Sequence, residues 1–259
     1  MPSNMFNEKF KLFNFLLIFI GISATQVFAD EIKVAVASNF YPAMKEIVLQ
    51  YELNQSQSSK NHKIVLISGS SGKHYAQIIN GAPFDIFFSA DKARPTLLEK
   101  KGMSENGSRF TYALGRLVLW SSLDGFVEKD ERLYNNDLRF LAIANPKIAP
   151  YGVAAREALI SINLWEEVQS KLIRGENIGQ TFQFVNSGNA KLGFISYSQL
   201  RNPNYPLAGS FWAVPQSLYK PIEQQVVLLK KSSLAKDFLS FIGSDESLNI
   251  ISKYGYDLP

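Results

Sequence analysis

The hydrophobic positions of this chain fall into two alternating kinds of run. In "IKVAVAS" (residues 32–38) β-branched residues recur at every second position, which predicts a buried strand. "PAMKEIVLQYEL" follows, with Met44, Ile47, Val48 and Tyr51 at helical spacing and Pro42 suited to a first helical turn. The pattern then repeats. "KIVLIS" (63–68) predicts a strand, and Tyr75, Ile78 and Ile79 mark the inner face of a short helix closed by Gly81. "FDIFFSA" (84–90) is a third strand, and "RPTLLEKKG" a helix ending at Gly102. Three strand–helix units in succession imply a largely parallel sheet with helices packed on its faces.

The alternation restarts further along. "GRLVLW" (115–120), "RFLAIA" (139–144) and "KLGFISYS" (191–198) predict strands. "VAAREALISI" and "IGQTFQFVNSG" predict helices, as does "LWEEVQSKLI" with Asn163 as its cap. "RNPNYPLAG" reads as a connection. "IEQQVVLLKK" is a final strand before two closing helices, the second capped by Ser244 with acids in its first turn. Two successive α/β sets predict two lobes, and the cleft between lobes is the usual place for a small ligand.

The first 29 residues follow a different rule. Lys9 and Lys11 precede an apolar run, and Val27 and Ala29 stand at the −3 and −1 positions of a cleavage site. This predicts a secretory signal peptide cut after Ala29, because the run is short of the roughly 20 residues of a spanning helix. The absence of cysteine excludes disulfides, thiol catalysis, cysteine metal sites and a lipid-anchoring cysteine. The net charge of +4 comes from scattered basic residues with no run that could track a phosphate backbone, so nucleic acid is not expected as a partner.

The chemistry concentrates in "ISGSSGKHYAQI" (67–78), where an apolar run enters a Ser-Gly turn and then a helix. A Walker loop needs G-x-x-x-x-G-K-[ST], but Gly69 and Gly72 are too close and His74 follows Lys73. A nucleophile elbow needs G-x-S-x-G, but Lys73 stands where the second glycine belongs for Ser71. The chain holds two histidines, His62 in a polar segment and His74 one turn into the helix, so no general base is visible beside Ser71. What remains is a helix N-terminus offering hydroxyls and free amides, either a plain N-cap or an anion site. The arrangement recurs in "VASNFYPAM" (Ser38, Asn39), in "IANPKIAPYGVAA" (Tyr151, Gly152) and in "GENIGQ" (Asn177, Ile178). In a parallel sheet such junctions gather at one edge, where ligands bind. Asp85 and Asp91 flank a strand and are expected to cap or pair locally. Trp120, Trp165 and Trp212 are expected in the core or at a rim.

The stretches "VAVASNFYPAMKEI", "ISGSSGKHYAQIINGAPFDIFFSADKARP", "ANPKIAPYGVAAREAL" and "GENIGQTFQFVNSGNAKLGFISYSQL" together resemble the substrate-binding proteins of molybdate ABC transporters. The resemblance covers essentially the whole chain after residue 29. It implies a two-lobed type II periplasmic-binding-protein fold of the α/β class, with lobe 1 formed by 30–112 and completed by 214–259, and lobe 2 by 113–213. It implies an extracytoplasmic, periplasmic, monomeric receptor for molybdate and tungstate that partners a membrane permease. The ion is held by hydrogen bonds alone, with no cofactor, no metal cation and no catalysis.

By position the resemblance assigns Ser38 and Asn39 to the first ligand loop, Ser71 to the central hydroxyl with Ser70 beside it, and backbone amides to Tyr151 and Ile178. A tyrosine used by some members aligns at Ser196, with Tyr197 next to it; strand alternation sends adjacent side chains to opposite faces, so Tyr197 is left out. A donor-only site suits molybdate, a bare dianion at neutral pH, whereas hydrogen phosphate needs an acceptor that the four junctions lack. A receptor for sulfate or another oxyanion is the nearest alternative. A secreted serine hydrolase would need a base beside Ser71, and a sensor domain a spanning helix.

Overall fold

The computed structural model describes residues 30–55, 62–135 and 138–259; the expected signal peptide lies outside them. None of the helices among the described residues is long and apolar enough to cross a membrane.

The first sheet is built from β1 (Asp30–Ala37), β2 (His62–Gly69), β3 (Ile86–Ser89), β4 (Phe110–Gly115) and β10 (Ile222–Leu228), in the order β2-β1-β3-β10-β4. β1 pairs in parallel with β2 and β3, and β10 runs antiparallel between β3 and β4. Helices α1 (Tyr41–Gln55), α2 (Ser71–Ile79) and α3 (Ala93–Lys100) connect these strands, and α8 (Ser233–Phe241) and α9 (Asp245–Lys253) close the lobe. One face of the sheet packs Val34, Val36, Ile86 and Phe88 against Met44, Ile47, Tyr51 and Phe238. The other packs Ala35, Phe87 and Val227 against Ile78 and Leu98.

The second sheet repeats the plan with β5 (Leu117–Ser121), β6 (Leu141–Ala144), β7 (Leu172–Gly175), β8 (Leu192–Ser196) and β9 (Ser210–Ala213), in the order β7-β6-β8-β5-β9. β6 is parallel to β7 and β8, while β5 is antiparallel to β8 and β9. Helices α4 (Pro150–Ser161), α5 (Trp165–Val168), α6 (Ile178–Asn186) and α7 (Tyr197–Leu200) complete this half. The chain passes between the two sheets twice, from β4 to β5 at Arg116 and from β9 to β10 through residues 214–221. Two mixed sheets, each covered by helices and joined by paired crossovers, make the two-lobed type II α/β fold.

Most predicted elements stand where the periodicity places them. Met44, Ile47, Val48 and Tyr51 are the buried face of α1, and Ser244 accepts from the Ser247 amide as the cap of α9. The helix expected over 164–173 is a correction. The α-helical turn ends at Val168 and a 3-10 turn carries it on through Lys171, but Leu172 and Ile173 leave it to form the start of β7. Pairing Leu172 and Ile173 with β6 satisfies backbone groups at the sheet edge, which outweighs a weak helical period. Asn163 does not cap α5, whose N-cap position is Leu164. Asn163 adopts φ 59° just past the end of α4, a left-handed conformation that asparagine tolerates better than most residues. β4 and β9 carried no sequence expectation. The strand expected through residue 198 ends at Ser196, because Ser196 exchanges capping hydrogen bonds with Gln199 and starts α7.

Candidate anion-binding site

Four junctions meet where the lobes face each other. The loop after β1 brings Ser38 and Asn39, and the loop after β2 brings Ser70 and Ser71. The loop after β6 brings Tyr151, and the loop after β7 brings Ile178. All six residues line one small cavity of about 10 Å³, together with Ala37, Gly69, Ala90, Ala149 and Pro150. Larger clefts of about 560–580 Å³ lie elsewhere on the surface, and none is lined by these residues. With the lobes in this position, the space excludes a sugar, peptide or nucleotide.

The donors of the cavity follow from local folding. Asn39 lies in the turn before α1, Ser71 opens α2, Tyr151 is the second residue of α4 and Ile178 opens α6. The first backbone amides of a helix have no partner within it. Neighbouring amides here do find partners: Gly72 donates to Ile148 O, Gly152 to Ala149 O, Lys73 to Ser70 Oγ and Gln180 to Asn177 Oδ1. Among the described residues, the amides of Asn39, Ser71, Tyr151 and Ile178 donate to nothing. Three helix N-termini, from α2, α4 and α6, add their positive dipole ends at the same place.

The hydroxyls are set by a second rule. Ser71 Oγ accepts from the Ala90 amide at 2.8 Å, and Ser38 Oγ accepts from the Gly179 amide of the opposite lobe at 3.2 Å. Each bond fixes a lone pair and leaves the hydroxyl proton free to donate. Ser70 accepts from Lys73 N at 3.3 Å as the N-cap of α2. Asn39 enters the cavity through its main chain, because its carboxamide donates to Gln224 Oε1 at 2.7 Å and to Tyr256 Oη at 3.0 Å. No carboxylate, lysine, arginine or histidine lines the cavity. The set is therefore made of neutral donors, which fits an oxyanion, and it offers no carboxylate to a cation.

Other candidate residues stand apart. Both ring nitrogens of His74 are engaged, Nε2 with Val36 O and Nδ1 with Gln77, each at 3.2 Å. Burial pushes its imidazole below the ordinary pKa, the side-chain bond to Gln77 opposing, so the ring is neutral at pH 7. Lys73 leaves the helix exterior to meet Glu176 of the second lobe at 3.7 Å. Asp85 accepts from the Lys33 amide at 2.6 Å, and Asp91 caps the Arg94 amide and pairs with its guanidinium. Ser196 caps α7, and Tyr197, the first residue of that helix, packs on Phe211; neither lines the cavity.

The residues that sequence reasoning missed support the donors from behind. Ala90 and Gly179 orient the two hydroxyls through main-chain amides that no side-chain motif reveals. Gln224 leaves a trace in the sequence: it and Gln225 are adjacent glutamines, both buried, in a strand whose other residues are apolar except Glu223.

Residues 32–257 match the bacterial extracellular solute-binding protein family. The molybdate-binding protein ModA of Azotobacter vinelandii is 43% identical over 242 residues, 92% of this chain and 94% of that protein. The molybdate-binding protein ModA of Rhodobacter capsulatus is 42% identical over 231 residues, 88% of each. The solved periplasmic molybdate-binding protein of Azotobacter vinelandii superposes with a TM-score of 0.82 at 38% identity, covering 88% of this chain and 99% of that one. The sulfate-binding protein SubI of Mycobacterium tuberculosis shares the fold, with a TM-score of 0.71 at 12% identity over 88% of this chain and 87% of that one. By family match, identity and coverage, this chain belongs to the bacterial extracellular solute-binding proteins, alongside their molybdate-binding members.

Proposed function

We propose that this protein is a periplasmic receptor that captures molybdate, and tungstate with it, and delivers the ion to the permease of an ABC transporter. The observation that carries the reading is the cavity itself: four unpaired amides and two oriented hydroxyls, drawn from both lobes, with no charged side chain among them. Such donors hold a dianion by charge-assisted hydrogen bonds, each worth roughly 1.5–3 kcal/mol net. In this reading Ser38 and Ser71 donate hydroxyls, and Asn39, Ser71, Tyr151 and Ile178 donate amides. Ser70 shapes the turn as the cap of α2. The protein binds and releases the ion without chemistry, cofactor or metal cation, and works as a monomer after cleavage at Ala29.

Binding closes a hinge. The first lobe carries β1–β4 and β10 and the second β5–β9, so the expected boundary at 112/113 moves past β4 to the crossing at Arg116, and the donors come from both lobes. The ion therefore binds the closed form better than the open one and draws the equilibrium toward it. Calorimetry of the chain from residue 30, titrated with molybdate, tests the reading, with scattering run in parallel. Saturable binding with a smaller radius of gyration is expected. Absence of binding, or binding with no compaction, overturns it.

A further inference from the structure

Tyr151 faces two ways. Its main-chain amide lines the anion cavity, while its side chain, 1% exposed, runs to the point where the chain crosses between lobes. There its hydroxyl has no hydrogen-bond partner among the described residues. Burial holds the phenol well above its ordinary pKa, so the group is a neutral hydroxyl. Gln224 of the first lobe shows the same anomaly, since its Nε2 is buried and unpartnered. The two atoms flank Gly115: a Cβ there would overlap the Tyr151 hydroxyl and meet Gln224 Nε2 at 3.0 Å.

The orientation of the Gln224 carboxamide is determined by its neighbours. Tyr256 donates its hydroxyl proton to Asn39 O at 2.9 Å, so its oxygen is left to accept. The Asn39 amide group therefore supplies the donor, and donates on to Gln224 as well. That places the Gln224 oxygen toward Asn39, where Tyr112 Oη also donates to it at 3.2 Å, and turns Nε2 toward Tyr151. A buried unpaired donor and a buried unpaired acceptor each cost free energy, and one short bond between them relieves both.

We propose that Gln224 is a positioning residue that ties together two cavity amides on opposite lobes. It holds the Asn39 amide through the Asn39 carboxamide, and the Tyr151 amide through a bond from Nε2–H to the Tyr151 hydroxyl that forms when the bound anion draws the two amides together between lobes already in contact. The inference rests on the oxyanion reading above. The liganded form then gains a bond that the free form lacks, so the Tyr151 hydroxyl contributes to affinity and not to ligand-free stability.

The test is molybdate titration calorimetry and ligand-free melting of the parent, Tyr151→Phe, Gln224→Met and the double variant. Tyr151→Phe is expected to bind about three- to tenfold more weakly, with a ligand-free melting temperature no lower than the parent's. In the Gln224→Met background the same change is expected to cost less than about twofold, because the partner is already gone. An orphan hydroxyl with a purely structural place predicts the opposite: unchanged affinity and a higher melting temperature. Tyr151→Phe binding as tightly as the parent, or losses that multiply fully in the double variant, overturns the inference. Tyr151→Phe decides alone if Gln224→Met does not fold. A parent that binds no molybdate overturns the functional reading and this inference with it, whereas a binding parent with an unaffected Tyr151→Phe overturns this inference only.

Discussion

Gly72, in the first turn of α2, donates its backbone N–H to the carbonyl of Ile148 in the other lobe at 2.8 Å. The contact is main chain to main chain and leaves no room for a side chain. A Cβ on Gly72 would meet Ile148 O at 2.7 Å and Ile148 Cα at 2.8 Å. Gly72 thus lets the second lobe seat against the first.

Gly72→Ala should therefore act on the closed form. Overpacking of this kind costs about 1–3 kcal/mol, and backbone atoms cannot swing aside as a flexible side chain can. Molybdate affinity is expected to fall by about tenfold or more, with little change in the melting temperature of the ligand-free protein. Calorimetry and scattering check it together. A variant that still binds tightly and compacts fully would show that this contact is no part of closure.

Ser71 and Lys73 are two residues apart and should behave oppositely. Ser71→Ala removes a hydroxyl oriented by the Ala90 amide and leaves one anion oxygen without its donor, at a cost of about 1–3 kcal/mol in affinity. Lys73 pairs with Glu176, but their side chains are 59% and 69% exposed, so Lys73→Ala should cost less than about 1 kcal/mol. That small loss should shrink further at high salt. Titrations of both variants at two salt concentrations decide it; a large loss from Lys73→Ala with none from Ser71→Ala would reverse the assignment.

His74 makes stability depend on pH. Burial lowers its pKa in the folded state, so the unfolded chain binds the proton more readily. Stability from this residue is full above the unfolded pKa of about 6.5 and is lost as pH falls through that value toward the folded pKa. Melting temperature should decline on acidification from pH 7 to 5, and His74→Gln should flatten the decline. A variant whose profile parallels the parent's would remove His74 as the cause.

How much of this was legible in the sequence depended on whether local chemistry or tertiary pairing decided each element. Helix α1 and the cap of α9 could be read because each is local: Met44, Ile47, Val48 and Tyr51 span two turns of one helix, and Ser244 accepts from an amide three residues on. Strand β7 could not, because Leu172 and Ile173 become a strand only through pairing with β6, about thirty residues earlier. The site divides the same way. Ser38, Asn39, Ser70, Ser71, Tyr151 and Ile178 stood out at helix starts, and they meet in one cavity. The roles of Asn39 and Ser70 did not, since an N-cap and a carboxamide bonded across 185 residues look in sequence like any exposed polar group.

Anion selectivity should follow from protonation first and size second. The accepting lone pairs that set the Ser38 and Ser71 hydroxyls are engaged by Gly179 N and Ala90 N, and the remaining donors are amides, so the cavity offers little to accept a proton. Hydrogen phosphate carries one at neutral pH and would bury it unpaired, at about 1–3 kcal/mol or more. Sulfate is a bare dianion and escapes that penalty. It is smaller than molybdate, however, and the amides of Asn39, Ser71, Tyr151 and Ile178 are held on two lobes that already touch at Gly72 and Ile148. They cannot follow a smaller ion inward, and hydrogen bonds weaken outside their narrow distance range. Tungstate, close in size to molybdate, should displace it readily; sulfate should do so much more weakly, and phosphate most weakly. Competition titrations against bound molybdate give the order. Displacement by millimolar phosphate as easily as by tungstate would mean that an acceptor enters the cavity and that the receptor serves a different anion.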